Sequence, residues 1–556
     1  MSVIPSVPAL TWISRYRRDW WAGDLTAGLT VGVMLIPQGM AYALLAGLPP
    51  IYGLYAATLP LLVYAVLGTS RQLAVGPVAM DSLLTATAVG ALATVGTEDY
   101  LYLTVLLALM VGAMQLAAGL FRLGFLVDLL SRPIISGFTA AAALIIGLSQ
   151  LQHLLGVNLG RSTYVHEILY AAAMHLTVIQ PLTLFIGVGG ILVLVGAKRW
   201  WPAVPGPLAV VVLGIGVVYL TGWDAAGIHI VREVPAGLPS LGMPLLDLTD
   251  MQALLPTALT IALIGFMEGI AVAKAVNARH PEYTVEPNQE LVAIGASNIG
   301  SALVGGFPVA GGFSRTAVND QAGARTGLAA VISAGVIVLT LLFLTPLFYY
   351  LPQAVLAAII VMAIFNLVDL HTPRWVWRYS KPDAISLAVT FVAVLIAGIE
   401  IGILAGIAVS ILLLMWRTSR PHIAVVGRVG DTEHFRNVNR HQVRTCPQVF
   451  ALRVDESLYF ANARYLEDYL LGAVADRPAV RDVVLICSAL NDIDASALES
   501  LEDLIHSLQG AGVTLHLAEV KGPVMDRLQR TEFLEHLKPG QVFLSTHQAM
   551  VALKCC

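Results

Sequence analysis

The stretch GGFSRTAVND (residues 311–320) places a basic side chain, Arg315, in a region otherwise rich in alanine, valine, isoleucine, leucine and glycine. A guanidinium at the centre of a membrane helix costs about 2.5 to 3.5 kcal/mol on insertion scales, so it needs a partner or a function. A soluble anion that binds and leaves is one such partner. The alternative is a fixed ion pair, for which Asp81 and Glu268 are the carboxyl groups available within apolar segments.

The composition is that of a membrane protein. Of 556 residues, 57% are hydrophobic and only 12% are charged, and the mean hydropathy is +0.77. Apolar runs long enough to cross a bilayer recur up to Trp416. They predict a polytopic α-helical protein with about fourteen spans, which start near residues 24, 50, 74, 100, 133, 178, 204, 254, 289, 309, 327, 352, 383 and 400.

Beyond Arg420 the chain changes to mixed sequence, with strand-like runs at 449–454, 482–488 and 512–518 that alternate with helical stretches. This pattern predicts one soluble α/β domain. The predicted divisions are a cytoplasmic N-terminal segment (1–23), a transmembrane domain (24–420), a linker (421–440) and a cytosolic domain (441–556).

Charge distribution gives the orientation. Basic residues concentrate on alternate loops, with only Arg161 and Arg232 on the opposite side, so the positive-inside rule places both termini in the cytoplasm. We therefore expect a multi-pass protein of the cell inner (cytoplasmic) membrane. The four cysteines all lie in the soluble part without metal-ligand spacing, which fits a reducing cytosol.

Several function classes are not supported by the sequence. A net charge of −4 without a basic cluster gives no indication of a nucleic-acid partner. We find no catalytic triad, metal constellation, nucleotide-binding glycine loop or other cofactor motif. The chain is therefore expected to be neither an enzyme nor an ATP-driven pump.

An internal repeat relates two halves of the transmembrane region. Residues 29–46 align with residues 259–276, which places Gly39 opposite Gly269 and Gln38 opposite Glu268. An odd number of spans separates the copies, so they cross the membrane in opposite directions, as in many secondary transporters. Chance similarity between two helices rich in alanine and leucine is the alternative.

The third span of each half is predicted to be broken. Residues 71–89 and 305–323 each begin with an extended or glycine-rich stretch and become helical only midway, and Pro77 suits a first helical turn. Extended backbone at membrane depth survives only where it is buried in protein or lines a wet cavity. The two half-helix N-termini would then meet near the midplane, where their partial positive charges add to that of Arg315.

Four motifs together resemble the SulP family of anion permeases: IPQGMAYALLAGLPPIYGLYA (36–56), SRQLAVGP (70–77), NQELVAIGASNIGSALVGGFPVAGG (288–312) and GGFSRTAV (311–318). Residues from about 440 to 550 resemble the STAS domain that ends these proteins. The resemblance implies a seven-plus-seven inverted repeat divided into a core and a gate domain, elevator-like transport of a small anion across the lipid bilayer, and a homodimer.

The resemblance also implies a substrate site between the third and tenth helix starts. The implied substrate-binding residues are Gln38, Tyr42, Gly76, Pro77, Val78, Phe313, Ser314 and Arg315. Sulfate, bicarbonate, chloride and dicarboxylates all remain open as substrates, with converging positive charge favouring a divalent anion. The alternatives to an anion transporter are a nucleobase carrier of the same fold and a membrane anion sensor that acts through the STAS domain.

Glu268 is the candidate ion-coupling residue. A protonated glutamic acid beside an anion site does not repel the anion, whereas the ionised form does, so its titration would link proton and anion uptake. Coordination of Na⁺ and permanent bonding to Arg315 or a hydroxyl are the alternatives.

In the soluble domain, Ser496 matches the serine that anti-sigma antagonists of the STAS class phosphorylate, although Ala495 and Ala497 depart from the usual pattern around it. Ser496 is therefore a candidate phosphorylation site, with a simple helix cap as the alternative.

Overall fold

The computed structural model describes residues 7–125, 131–157, 159, 165–175, 178–200, 205–244, 246–365, 369 and 371–555. Arg161, which the sequence assigned to the outer side, lies outside those residues. The chain divides into two compact units, Met1–Val409 and Ser410–Cys556. Each is described by itself below.

Helices dominate the membrane unit. Its first half contains α1 (Pro8–Ser14), α2 (Trp21–Leu45), α3 (Ile51–Tyr55), α4 (Leu59–Leu67), β1 (Val75–Gly76), α5 (Ala79–Leu92), α6 (Glu98–Leu120), α7 (Arg132–Ser149), α8 (Leu151–Leu155), α9 (Val165–Met174), α10 (Pro181–Trp200) and α11 (Gly206–Thr221). Its second half contains α12 (Leu248–Asn277), α13 (Pro287–Leu303), β2 (Ala310–Gly311), α14 (Phe313–Gln321), α15 (Leu328–Leu339), α16 (Gln353–Phe365), α17 (His371–Tyr379) and α18 (Lys381–Ala397), and α19 (Ile399–Thr418) follows.

The predicted spans all coincide with helices or half-helices, which confirms the polytopic α-helical class. Within the described residues, seven helices are long and apolar enough to cross a membrane, and four shorter apolar helices accompany them. Prolines explain why several boundaries could be read from sequence: Pro133, Pro207, Pro287 and Pro382 lie in the first turn of α7, α11, α13 and α18. A proline there loses no helical hydrogen bond.

The spans pack in two groups, which correspond to the expected core and gate. In the core, α6 and α4 pack on α13, α2 packs on α15 and α14, and α12 packs on α6. In the gate, α7 packs on α18, and α10 packs on α16, α11 and α8. Helix α2 also contacts α11 and α16, so it lies at the boundary between the two groups.

Glycines allow the first two spans to approach backbone to backbone. A Cβ at Gly53 of α3 would overlap the carbonyl oxygen of Gly39 of α2, and a Cβ at Gly39 would lie 2.9 Å from the Gly53 oxygen. The repeat counterpart of Gly39 is also in close contact, because a Cβ at Gly269 would lie 2.8 Å from Ile294 Cδ1 of α13. Small residues at these two positions therefore serve the same packing role in each half.

The Gly53→Ala substitution should destabilise the membrane unit by about 1 to 3 kcal/mol, because the added methyl group forces α2 and α3 apart. The matched control is Gly90→Ala in α5, where a Cβ would meet no atom within 4 Å. That control should be neutral or stabilising, since alanine is the better helix former. Thermal unfolding of the two variants in detergent tests this, and equal melting temperatures would contradict it.

The soluble unit is built on one mixed sheet. Its elements are β3 (Ile423–Arg428), β4 (Phe435–Asn437), β5 (Val449–Val454), α20 (Ala463–Ala475), β6 (Asp482–Ile486), α21 (Ala495–Gly510), β7 (Thr514–Ala518), α22 (Gly522–Leu528), α23 (Phe533–His536), β8 (Val542–Phe543) and α24 (Thr546–Ala552). The strand order is β4-β3-β5-β6-β7-β8. Strands β5 to β8 are parallel, β3 pairs antiparallel with its neighbours, and apolar clusters cover both faces. The three predicted strands are β5, β6 and β7.

Three details of the soluble unit differ from the sequence reading. Strands β3 and β4 lie within residues 421–440, which the sequence assigned to a linker. Asp494, not Ser496, caps α21, since its carboxylate accepts a hydrogen bond from the Ala497 amide at 2.8 Å. The cap interpretation of Ser496 is therefore wrong; its side chain is exposed. Cys446 and Cys555 form a disulfide across 109 residues of sequence, whereas the sequence analysis expected the cysteines to fit a reducing cytosol.

Candidate functional site

Two extended segments pair at the centre of the core group. Strands β1 and β2 run antiparallel, with Val75 opposite Gly311 and Gly76 opposite Ala310. The amide of Gly312 adds a hydrogen bond to the Ala74 carbonyl at 3.0 Å. Because the strands run in opposite directions and each leads into a helix, α5 and α14 start side by side and extend away from each other.

Neither half-helix is capped by a side chain. The N-cap residues are Val78 for α5 and Gly312 for α14, and neither side chain bonds a backbone amide. Pro77 therefore lies just before the α5 cap and not in the first helical turn, which corrects the sequence expectation; Val78 is still extended. Uncapped N-terminal amides and the helix dipole together attract anions.

Arg315 lies in the first turn of α14 and links the two helix starts. Its side chain is only 2% exposed, and its Nη1 donates a hydrogen bond to the Pro77 carbonyl at 2.7 Å. The Nε and Nη2 groups are buried without a partner. Within the described part of the chain, no carboxylate lies within 4.0 Å of this guanidinium, so the fixed ion pair with Asp81 or Glu268 is not present. Arg315 thus retains unused hydrogen-bond donors.

Gln38 and Ser314 face a cavity of about 390 Å³, which is bounded by α2, α10, α11, α14 and α16. Gln38 is 3% exposed, and its Oε1 is buried without a partner. Lys198, at the end of α10, also lines the cavity. The cavity lies between core and gate and opens on the side that the basic residues assign to the cytoplasm.

The other predicted residues occupy the same neighbourhood, with one exception. Tyr42 is 5% exposed on α2 and interacts electrostatically with both Arg315 and Glu268. Glu268 is half-buried on α12. Gly76, Pro77 and Val78 are buried beside the guanidinium. Phe313 differs, because its side chain is 56% exposed and does not line the cavity.

Sequence reasoning missed the residues that hold β2 in place. The side-chain amide of Asn298 on α13 donates to the Val309 carbonyl at 2.9 Å and accepts from the Val309 amide at 2.8 Å. Thr316 accepts from the Ala74 amide at 3.0 Å. These three bonds replace backbone pairing that the broken spans lose. The signal in the sequence was a buried asparagine in an apolar segment.

Gly312 makes room for the guanidinium. A Cβ at this position would lie 2.6 Å from both Cζ and Nη2 of Arg315, which is closer than real atoms allow. A side chain here would displace the guanidinium from the helix starts.

Comparison with known proteins places this geometry in a family. Residues 21–390 match the model of the Sulfate permease family, and residues 440–549 match the STAS domain. A chloroplastic sulfate transporter of Arabidopsis thaliana, Sulfate transporter 4.1, is 36% identical over 98% of this chain and 82% of its own length. A probable sulfate transporter of Mycobacterium tuberculosis is 36% identical over 98% of both chains.

A solved structure agrees in fold over both parts of the chain. The murine anion transporter Slc26a9 in its inward-facing state has a TM-score of 0.91 at 25% identity, and the match covers 99% of this chain and 94% of the other.

The Gly312→Ala substitution should weaken sulfate binding about tenfold to a hundredfold, since it moves the Arg315 donors away from the helix starts. Gly335→Ala in α15 is the matched control, because a Cβ there meets nothing within 4 Å. Calorimetric titration of the purified variants with sulfate measures both. Unchanged affinity in a folded Gly312→Ala protein would contradict the assigned position of Arg315.

Proposed function

Because the chain belongs to the sulfate permease family, we propose that it is a secondary active transporter of a small divalent oxyanion of the sulfate class, driven by proton symport. The chain is a membrane transporter and not an enzyme. Bicarbonate, chloride and dicarboxylates such as fumarate are the competing substrates. The names of its relatives support sulfate among these.

The observation that carries this proposal is the convergence of three sources of positive potential on one buried spot. Two uncapped helix starts and the Arg315 guanidinium meet beside a cavity, and two guanidinium nitrogens have no partner among the residues that the structure describes. Each helix start contributes roughly half a positive charge. A dianion would match the combined charge better than a monovalent or neutral solute.

Each site residue has a distinct role in this proposal. The amides that follow Val78 and Gly312 donate to the anion oxygens, and Arg315 adds charge-assisted hydrogen bonds. Gln38 and Ser314 donate from the cavity side, and Tyr42 closes a wall. Gly76 and Pro77 shape the extended backbone, and Phe313 contributes its backbone and not its exposed ring.

Two cavities support alternating access by an elevator-like movement of the core against the gate. The 390 Å³ cavity reaches Gln38 and Ser314 from one side. A second cavity of about 800 Å³ lies on the other side and is lined by Leu44, Leu83 and residues of α7 to α9. Gln38 and Leu44 are about 9 Å apart along α2, so the two cavities reach the core at different depths. In the proposed cycle the site opens to one of them at a time.

Glu268 is the proposed coupling residue. It interacts electrostatically with Arg315 without forming an ion pair within 4.0 Å. An ionised Glu268 would compete with the anion for Arg315, whereas a protonated Glu268 would release Arg315 to bind it. Proton and anion therefore load together. Na⁺ is the competing coupling ion.

The remaining features of the proposal rest on family resemblance and charge distribution. They are a homodimer in the inner membrane of the cell, both termini in the cytosol, and regulation through phosphorylation of Ser496. A nucleobase carrier of the same fold would not need Arg315 at the site. A pure sensor would not need cavities on both sides of the core.

Substitution of Arg315 tests the proposed anion site. In proteoliposomes, Arg315→Ala should reduce sulfate uptake at least about a hundredfold, since a buried charge-assisted contact is lost, and Arg315→Lys should restore only part of it. Labelled sulfate uptake, with bicarbonate, chloride, fumarate and uracil as competitors, measures this. Inhibition by uracil and not by the anions would instead identify a nucleobase carrier.

Substitution of Glu268 tests the proposed proton coupling. Sulfate entry into wild-type proteoliposomes should make the outer solution more alkaline, and an inward proton gradient should accelerate it. In Glu268→Gln, which is permanently neutral, sulfate exchange should persist while the response to the gradient becomes clearly weaker than in the wild type. Wild-type uptake that ignores the proton gradient and follows a sodium gradient would refute proton coupling.

A further inference from the structure

Three carboxylate side chains of the described membrane unit are fully buried: Asp24, Asp81 and Glu290. Two of them are satisfied by hydrogen bonds. Asp24 accepts from the amide and hydroxyl of Thr326 at 3.0 and 2.7 Å. Glu290 accepts from the Tyr64 hydroxyl at 2.8 Å and from the Thr69 amide at 2.7 Å. Donors from the protein therefore satisfy both of these carboxyl groups.

Asp81 is different, since both of its carboxyl oxygens are buried without a hydrogen-bond partner. It lies in the first turn of α5 and faces Gly265 of α12. The point that a Cβ at Gly265 would occupy is 3.5 Å from Asp81 Oδ2 and 3.6 Å from Gln115 Nε2. Glycine therefore leaves space beside this carboxyl, and Glu268, one turn further along α12, interacts with it electrostatically.

An ionised carboxylate without donors is strongly disfavoured in a buried site. A bound proton or a bound cation would resolve this. A hard metal cation requires several oxygen ligands, and the surroundings supply few. The Gln115 Oε1 accepts from Asn298 at 3.0 Å, and its Nε2 donates to the Ala262 carbonyl at 3.0 Å. A proton is the simpler occupant.

We propose that Asp81 is a second proton-binding group of the transport cycle, which extends the proposed proton coupling at Glu268 and rests on it. A carboxylate oxygen takes up a proton when the anion loads, and the same O–H bond breaks to return the proton to water after release.

Helices α2, α6, α7 and α12 pack on α5. Glu268 of α12 interacts electrostatically with Asp81, and α6 presents the neutral Gln115 near it. Tyr42 of α2 and Arg315 of α14 interact with Glu268. The charged residues of α6 and α7 near their starts, Glu98, Asp99 and Arg132, are exposed. Arg315 is bound to the Pro77 carbonyl and lies more than 4.0 Å from Asp81.

Two protonated carboxyl groups change the charge that the core carries. A sulfate dianion exceeds the single charge of Arg315, and the two helix starts, at about half a charge each, offset that difference only if no further negative charge is present. If both Asp81 and Glu268 are neutral in the loaded state, no unpaired carboxylate accompanies the anion through the low-dielectric interior. The coupling ratio would then exceed one proton per anion.

Proton counting by calorimetry tests this directly. The full-length purified protein is titrated with sulfate at a slightly alkaline pH, in buffers of different ionisation enthalpy, and the dependence of the observed heat on that enthalpy gives the protons taken up per anion. We expect about two protons in the wild type, and about one fewer in each of Asp81→Asn and Glu268→Gln.

The outcomes separate the two proposals. A wild-type uptake of about one proton, lost in Glu268→Gln and retained in Asp81→Asn, would overturn the role of Asp81 alone. Uptake of no proton would overturn proton coupling itself, and sulfate binding that requires sodium and takes up no proton would overturn the roles of both Glu268 and Asp81.

If Asp81→Asn does not fold, the equilibrium of the wild type in proteoliposomes decides, measured at zero membrane potential as the proton gradient that balances a set sulfate gradient. A ratio of about two protons per sulfate supports the inference, and a ratio of about one overturns it.

Discussion

The pairing of two very short strands, β1 and β2, is the constraint on which the membrane unit depends. In a bilayer, backbone amides and carbonyls must find partners within the protein, so a span cannot break at mid-depth unless the break is satisfied. Here Val75 and Gly76 pair with Gly311 and Ala310. Asn298 satisfies the preceding residue, Val309, through two hydrogen bonds. Two helices can therefore begin inside the protein with their amides directed at one place.

That arrangement determines the balance between positive and negative charge at the candidate site. Two helix starts and Arg315 concentrate positive potential in a buried volume, and the nearby carboxyl groups do not cancel it through an ion pair within 4.0 Å. In the proposed cycle Glu268 competes with an incoming anion for Arg315. Asp81 interacts electrostatically with Glu268 and has no hydrogen-bond donor among the described residues. Anion affinity and carboxyl protonation are then two aspects of the same electrostatic balance.

Much of the membrane fold could be predicted from sequence because its signals are local. Apolar length defines the spans, prolines such as Pro133 and Pro287 mark their starts, and Gly311-Gly312 marks where α14 begins. The alignment of Gly39 with Gly269 identified the repeat, and both glycines allow close helix packing. The chemistry of Arg315 was also evident, because a basic residue in an apolar span is costly.

Features that depend on distant contacts could not be predicted in the same way. Asn298 and Thr316 hold the strands from elsewhere in the chain, and the sequence does not indicate which backbone groups they meet. The position of Pro77 before the cap, the orientation of Phe313 away from the cavity and the Cys446–Cys555 pair follow from tertiary packing. Asp81 was visible as an acidic residue in an apolar span, but only the three-dimensional contacts reveal that it lacks donors.

The most direct measurement is a cryo-EM map of the purified protein saturated with sulfate, compared with one collected without it. We expect tetrahedral density between the first amides of α5 and α14, within hydrogen-bond distance of the Arg315 guanidinium and reached from the cavity through Gln38 and Ser314. Sulfate density at another place would contradict the proposed anion site. A guanidinium paired with Glu268 or Asp81 in both maps, with no room for an anion, would also contradict it.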